Sequence, residues 1–150
     1  MDPQPRSRPL PDTSGDPAFI GRGFAFPMRV DAAGRIALTD GAGDLDCSLR
    51  VVLATAPGER VMRPTFGCAI WDLVFEPIND NTLGLMAEVV REAIAMWEPR
   101  VIVQEVRTIP ADDDQHNALV NIEIDYVVRA TNDRRNLVYP FYLIPREEEP

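Results

Sequence analysis

Trp97-Glu98-Pro99-Arg100-Val101-Ile102-Val103 is the stretch on which the fold turns. Pro99 has no amide proton and disfavours the α conformation in the residue before it, so a helix arriving from the N-terminal side must stop at or just before Glu98. Upstream, Leu83, Met86, Val90, Ile94 and Trp97 step by three or four residues along one face, widened by Val89 and Ala93, with Glu88, Arg91 and Glu92 outside it. Asn79-Asp80-Asn81-Thr82 supplies capping side chains, and a helix is expected over about residues 81–97. Downstream, Val101 to Ile109 reads as a strand, about residues 101–109. Glu98 and Arg100 therefore sit at a junction between two element types, between a large aromatic and an apolar run. Charges held partly out of water need partners.

Outward from this junction the pattern is strand-like to the C-terminal side. Val120, Ile122, Ile124, Tyr126 and Val128 alternate with Asn121, Glu123 and Asp125, giving a strand over about residues 118–129 with one core face. Asp112-Asp113-Asp114 with Gln115-His116-Asn117 reads as an exposed loop, and Thr131 to Asn136 as a polar turn. A third strand follows over about residues 137–144. Pro140 interrupts it and offers no N–H to a ladder, so this strand belongs at an edge or carries a bulge. Such an edge, rich in Val138, Tyr139, Phe141 and Tyr142, is a pairing hazard unless something covers it.

To the N-terminal side, Phe24, Phe26, Met28 and Val30 alternate with Ala25, Pro27 and Arg29, the period of a half-buried strand. Asp31-Ala32-Ala33-Gly34 then reads as a turn and Arg35 to Leu38 as the return, an N-terminal hairpin over about residues 24–38. Asp44 is a candidate N-cap for a helix over about residues 45–55, with Leu45, Leu49, Val52 and Leu53 on one face. A further helical turn is expected over about residues 69–75, closed by Glu76-Pro77. The fold class is α+β: a small antiparallel sheet of the three C-terminal strands, plus the hairpin, packed against these helices. Residues 1–18, with Pro3, Pro5, Pro9, Pro11 and Pro17 and little to bury, read as a disordered tail ahead of a single domain over residues 19–150.

The 150-residue chain is 45% hydrophobic, enough for one core without staples. Its formal net charge of −9 argues against binding a phosphate backbone. It has no lysine, so every basic side chain but His116 is a guanidinium, suited to planar contacts with carboxylates. Cys47 and Cys68 do not form a CxxC pair and read as reduced, buried residues, with a disulfide as the alternative. No run approaches the roughly 18 apolar residues of a membrane span, and no signal peptide opens the chain, which leaves the cytoplasm as the expected location.

A catalytic set does not emerge. The only histidine, His116, lies in the acidic loop, a poor place for the geometry of a nucleophile–base pair. Asp112, Asp113 and Asp114 lack the alternating spacing and glycine of a calcium loop, so no metal is expected. Glycine patterns for nucleotide phosphates are missing, and no cofactor is expected. Glu59, Asp72, Glu76 and Glu98 are candidate carboxylates for glycoside hydrolysis, but Arg60, Arg63 and Arg100 stand near in sequence, and a carboxylate paired with arginine is a poor general acid.

Three blocks in fixed order carry a family resemblance: Thr55-Ala56-Pro57-Gly58-Glu59-Arg60-Val61-Met62-Arg63-Pro64-Thr65-Phe66-Gly67-Cys68, then Phe75-Glu76-Pro77, then Trp97-Glu98-Pro99-Arg100-Val101. They resemble the baseplate wedge proteins of contractile phage tails, a family found also in type VI secretion baseplates and extracellular contractile injection systems. Gly21 to Pro27 and Val138 to Leu143 look like the flanks of its injection-system and phage members, so the similarity runs from about Gly21 to Ile144. Members are often labelled lysozyme-like, which leaves a peptidoglycan hydrolase of a tail baseplate as the alternative. The resemblance implies instead a structural, non-enzymatic subunit, present in several copies in a six-fold assembly inside a contractile particle. Its partners would be the sheath protein, other wedge proteins and the hub and spike, with no nucleic acid and no membrane insertion. Each copy would join the wedge to the hub and template the first sheath ring. The family fold resembles the strand-exchanging part of the sheath protein, which would let the edge strand with Val138, Tyr139, Phe141, Tyr142 and Leu143 pair with a sheath strand. The family's Glu-Pro-Arg motif falls on Glu98, Pro99 and Arg100. We expect Glu98 and Arg100 to make charge-assisted hydrogen bonds in a partly buried network with Glu59 and Arg60.

Overall fold

The structure, a computed structural model, describes residues 21–144 apart from residue 26 and residues 113–117. The expected tail over residues 1–18 and the loop around His116 lie outside the described residues. In chain order the elements are β1 (Arg22–Phe24), β2 (Leu38–Asp40), α1 (Gly41–Ala54), a 3-10 turn (Ala69–Leu73), α2 (Asp80–Trp97), β3 (Val101–Asp112), β4 (Ala118–Val128) and β5 (Asp133–Tyr142). This is the expected α+β arrangement: two helices, a three-stranded antiparallel sheet in the order β3-β4-β5, and a separate two-stranded hairpin.

The start of α2 is fixed by Asn79, whose side chain accepts the Thr82 amide at 2.9 Å. Its apolar stripe meets the sheet as the periodicity requires. Met86, Val90 and Ile94 of α2, Leu45, Leu49, Val52 and Leu53 of α1, and Val120, Ile122, Ile124, Tyr126 and Val128 of β4 form one core. The other face of β4 is polar: Arg107 of β3 holds Glu123 at 2.9 Å and Asp125 at 3.3 Å across the strands. The third helical stretch is reduced to the 3-10 turn. There Trp71 donates its indole N–H to the Leu53 carbonyl at 2.9 Å and meets the Phe141 ring edge-on at 5.2 Å.

Several boundaries differ from the sequence expectation. β5 begins at Asp133 because the chain turns earlier, with Asn132 at φ 54° and its amide bonded back to the Val128 carbonyl at 2.8 Å. The register carries Pro140 opposite Asn121 within β5, at the sheet edge where a missing N–H is tolerated. The helix α1 starts at Gly41, at φ 58°, so Asp44 lies inside the first turn and does not cap it. β3 runs on to Asp112.

The N-terminal hairpin is present, with Phe24 opposite Leu38 and a further bridge between Val30 and Ile36. Asp31 shapes its turn, accepting the Ala33 and Arg35 amides on one carboxylate oxygen at 2.9 Å each. The expectation of a half-buried strand fails, however, because Phe24, Met28 and Val30 are exposed. Alternation states which residues share a face; it does not supply a layer to cover that face.

Candidate functional site

The Glu-Pro-Arg corner is built by the end of α2. The Glu98 amide still donates to the Ile94 carbonyl at 2.9 Å, Pro99 turns the chain, and the Arg100 carbonyl accepts the Arg129 amide at 2.9 Å as β3 begins. Two residues apart, the two side chains fold back on one another. Arg100 Nε donates to Glu98 Oε1 and Arg100 Nη2 to Glu98 Oε2, both at 2.7 Å, a two-pronged contact. The remaining prong, Nη1, donates to Asp44 Oδ2 at 2.7 Å. Ser48 donates its hydroxyl to Glu98 Oε2. Asp44 and Ser48 are four residues apart on α1 and so share one helix face.

This junction also receives the hairpin. A Cβ placed on Gly23 would lie 2.1 Å from Asp44 Oδ1, and one on Gly21 would lie 3.0 Å from Arg100 Nη1. Only glycine lets β1 and its lead-in close over the ion pair. Glu98 is 3% exposed. Burial pushes its carboxyl up, but the hydrogen bonds from Arg100 and Ser48 outweigh it and hold the group below the ordinary glutamate range. Arg100 is pushed in the opposite sense, held more firmly protonated by Glu98 and then Asp44. The network is fixed, ionised and directional, which is the chemistry of a joint.

Of the residues expected here, the structure brings Glu98, Pro99 and Arg100 together and leaves Glu59 and Arg60 out. The Glu59 carboxylate accepts the Ala56 amide at 2.9 Å. Arg60 lies over the Phe66 ring, 4.6 Å from its centroid, and Phe66 packs on Trp97 at 5.1 Å. Arg60 thus reaches the corner through two aromatic rings. Sequence reasoning missed Asp44 and Ser48, although two polar residues at helical spacing on an otherwise apolar face were a visible signal. Beside the junction a groove of about 340 Å³ runs between the hairpin and the connector, lined by Phe24, Met28, Val51, Arg60, Phe66 and Trp97.

The expected pairing strand is divided by the pleat. Phe141 and Leu143 are buried in the core and Tyr139 is half-buried, while Val138 and Tyr142 are exposed. Leu143 lies just past β5, its amide bonded to the Ala118 carbonyl at 2.9 Å. Only β4 flanks β5, so its outer edge is unpaired among the described residues. The edge of β3 is open too, but its register shifts between Val103 and Glu105, a bulge that interrupts regular pairing. Among the described residues no cluster of histidine, cysteine, aspartate and glutamate could hold a metal ion, and no helix is long and apolar enough to cross a membrane.

This small α+β unit thus combines a sheet whose edge strands are β3 and β5 with a buried ionic corner between α1, α2 and β3. The model of the baseplate wedge protein gp25 family matches residues 39–133, and the chain belongs to that family, as a structural wedge subunit of contractile tail-like baseplates. Over 100 residues it is 27% identical to baseplate wedge protein gp25 of Enterobacteria phage T4, covering 67% of this chain and 75% of that one. A solved structure from Geobacter sulfurreducens, provisionally called a tail lysozyme, is 49% identical and covers 71% of this chain and 92% of its own, with a TM-score of 0.60. A chain in the six-fold-symmetrised baseplate of the anti-feeding prophage is 30% identical, covers 83% of this chain and 87% of its own, and has a TM-score of 0.59.

Proposed function

We propose that this subunit joins the wedge to the hub and spike and templates the first sheath ring through β5, acting without catalysis. The observation that carries the reading is the unpaired outer edge of β5, on a sheet held rigid by one continuous core, with Val138 and Tyr142 presented beside it. A sheath strand added there would continue the ladder and place alternate side chains against these two. The groove beside the ionic corner is the second attachment, where Arg60 and the exposed Met28 would meet the neighbouring wedge protein. Several copies arranged with six-fold symmetry, made in the cytoplasm and built into a particle, complete the reading.

Lysine on an open edge blocks pairing without disturbing the core face. Val138→Lys with Tyr142→Lys is therefore expected to leave the melting temperature nearly unchanged and to yield baseplates without sheath, counted by negative-stain microscopy. Sheaths of normal length and number would refute the pairing role. The name given to the Geobacter sulfurreducens relative points to peptidoglycan hydrolysis instead. Against it stands Glu98, kept ionised by Arg100 and unable to serve as a general acid. Cell-wall turbidity clearing by purified protein, lost in Glu76→Gln or Glu98→Gln, would overturn the non-enzymatic reading.

A further inference from the structure

The connector between α1 and the 3-10 turn has no regular secondary structure, yet it is tightly bonded to itself. Gly58 donates its amide to the Pro64 carbonyl at 2.7 Å and closes the loop at its base. Inside, the Arg63 amide donates to the Arg60 carbonyl at 3.2 Å and the Phe66 amide to the Arg63 carbonyl at 3.1 Å. The foot is tied to α1 by the Cys68 amide, which donates to the Thr55 carbonyl at 2.9 Å. Gly67, at φ +126°, passes so close that a Cβ there would lie 2.3 Å from the Thr55 oxygen. A loop fixed in this way has a defined tip.

That tip is Val61 and Met62, 93% and 91% exposed, the barest large apolar side chains among the described residues. A mobile loop can tuck such side chains away; this one holds them in water. Arg60 and Arg63 bracket them, and no ion pair engages either arginine among the described residues. In a chain of net charge −9, residues 60–64 form a cationic spot without a carboxylate.

We propose that Val61 and Met62 are an anchor that inserts into an apolar pocket on another baseplate subunit, with Arg60 and Arg63 meeting carboxylates on the pocket's rim. Ordering is already complete in the free protein, so binding loses little loop entropy. Methionine adapts to irregular pockets, and arginine forks match carboxylate pairs. An anionic bilayer is a poor occupant, because the chain as a whole is strongly acidic and two residues give shallow insertion. The proposal rests on baseplate membership and is independent of sheath pairing at β5, which lies on a different element.

The test uses full-length protein in cells that build the particle. Val61→Ser with Met62→Ser, and separately Arg63→Glu, are expected to leave the melting temperature of the isolated protein within about 1 °C, since neither site is buried. Both are expected to lower recovery in purified particles, the double substitution by about tenfold or more. A benzoyl-phenylalanine photocrosslinker at position 62 should label a different subunit at an apolar segment containing Asp or Glu. Undiminished incorporation of the double variant would overturn the proposal. So would crosslinking to a second copy of this chain, or to a segment without carboxylates. Sedimentation of the isolated protein with phosphatidylcholine–phosphatidylglycerol vesicles, abolished by the same double substitution, would assign the tip to a membrane and equally overturn it. Loss of incorporation here, as against loss of sheath alone in Val138→Lys with Tyr142→Lys, separates the two surfaces.

Discussion

Arg100→Ala is expected to lower the melting temperature at pH 7 by roughly 10 °C. The substitution removes the cation shared by Glu98 and Asp44, whose side chains are 4% and 11% exposed. Breaking a buried pair in this way costs about 3–5 kcal/mol. A third of the Arg100 side chain faces solvent, so water can follow into the gap, and the loss should fall near the lower end, about 3 kcal/mol. At roughly 3 °C per kcal/mol for a chain of this size, that gives the expected shift. Arg100→Lys should recover only part of it, because one ammonium cannot span the three oxygens that Nε, Nη2 and Nη1 reach.

The buried ion pair also carries a pH signature. In the native protein Glu98 titrates below its ordinary value, so its contribution is complete above pH 4.5 and is lost as pH falls through the folded-state value. With Arg100 gone, burial remains and pushes the carboxyl up, so the variant gains stability from protonation as pH falls. The gap between native and variant melting temperatures should therefore be widest at neutral pH and close progressively below pH 4.5. Calorimetric melts across that range would show it. A gap independent of pH would mean that the stranded carboxylates are not its source.

Phe141→Ala is expected to cost about 3–5 kcal/mol. Phe141 is 1% exposed and joins β5 to the 3-10 turn through Trp71. Its removal opens a cavity and forfeits an edge-on aromatic contact worth about 0.5–1.5 kcal/mol within that total. Collapse is restrained, since Trp71 is pinned by its indole N–H to the Leu53 carbonyl. The neighbouring Tyr142→Ala removes a half-exposed side chain from the other face and should cost about 0.5 kcal/mol or less. Urea unfolding of the two variants compares them directly. Equal losses would mean that the pleat of β5 does not divide core from partner surface as described.

Legibility in the sequence followed the range of the interactions. α2 and β4 could be read because their periods are local and strong, and Asn79 marked the helix start. Pro140 announced an edge for the same reason. The partners of Arg100 could not be read so easily, because Asp44 lies 56 residues away, and the expected Glu59 and Arg60 were no more local, at 41 and 40 residues. Charge chemistry required a carboxylate beside Arg100; only packing decides which one arrives. The hairpin shows the complementary failure. Its alternation was real, but the layer that would bury Phe24, Met28 and Val30 is not among the described residues. Nor did the alternation within single strands reveal that β3 offers a second edge, or the bulge between Val103 and Glu105 that interrupts it.

The β4–β5 ladder runs without a register shift from Leu119 opposite Tyr142 to Val128 opposite Asp133. In a machine that shortens, such a ladder is a mechanical fastener whose strength depends on direction. A pull along the strands loads all its rungs in parallel and they must fail together. A pull across the strands loads the end rung first and the rest open in turn, like a zipper. A sheath strand laid along β5 and drawn along its own axis would meet the stiff direction, and the short corner at Asn132 would keep the two strands from peeling apart at that end.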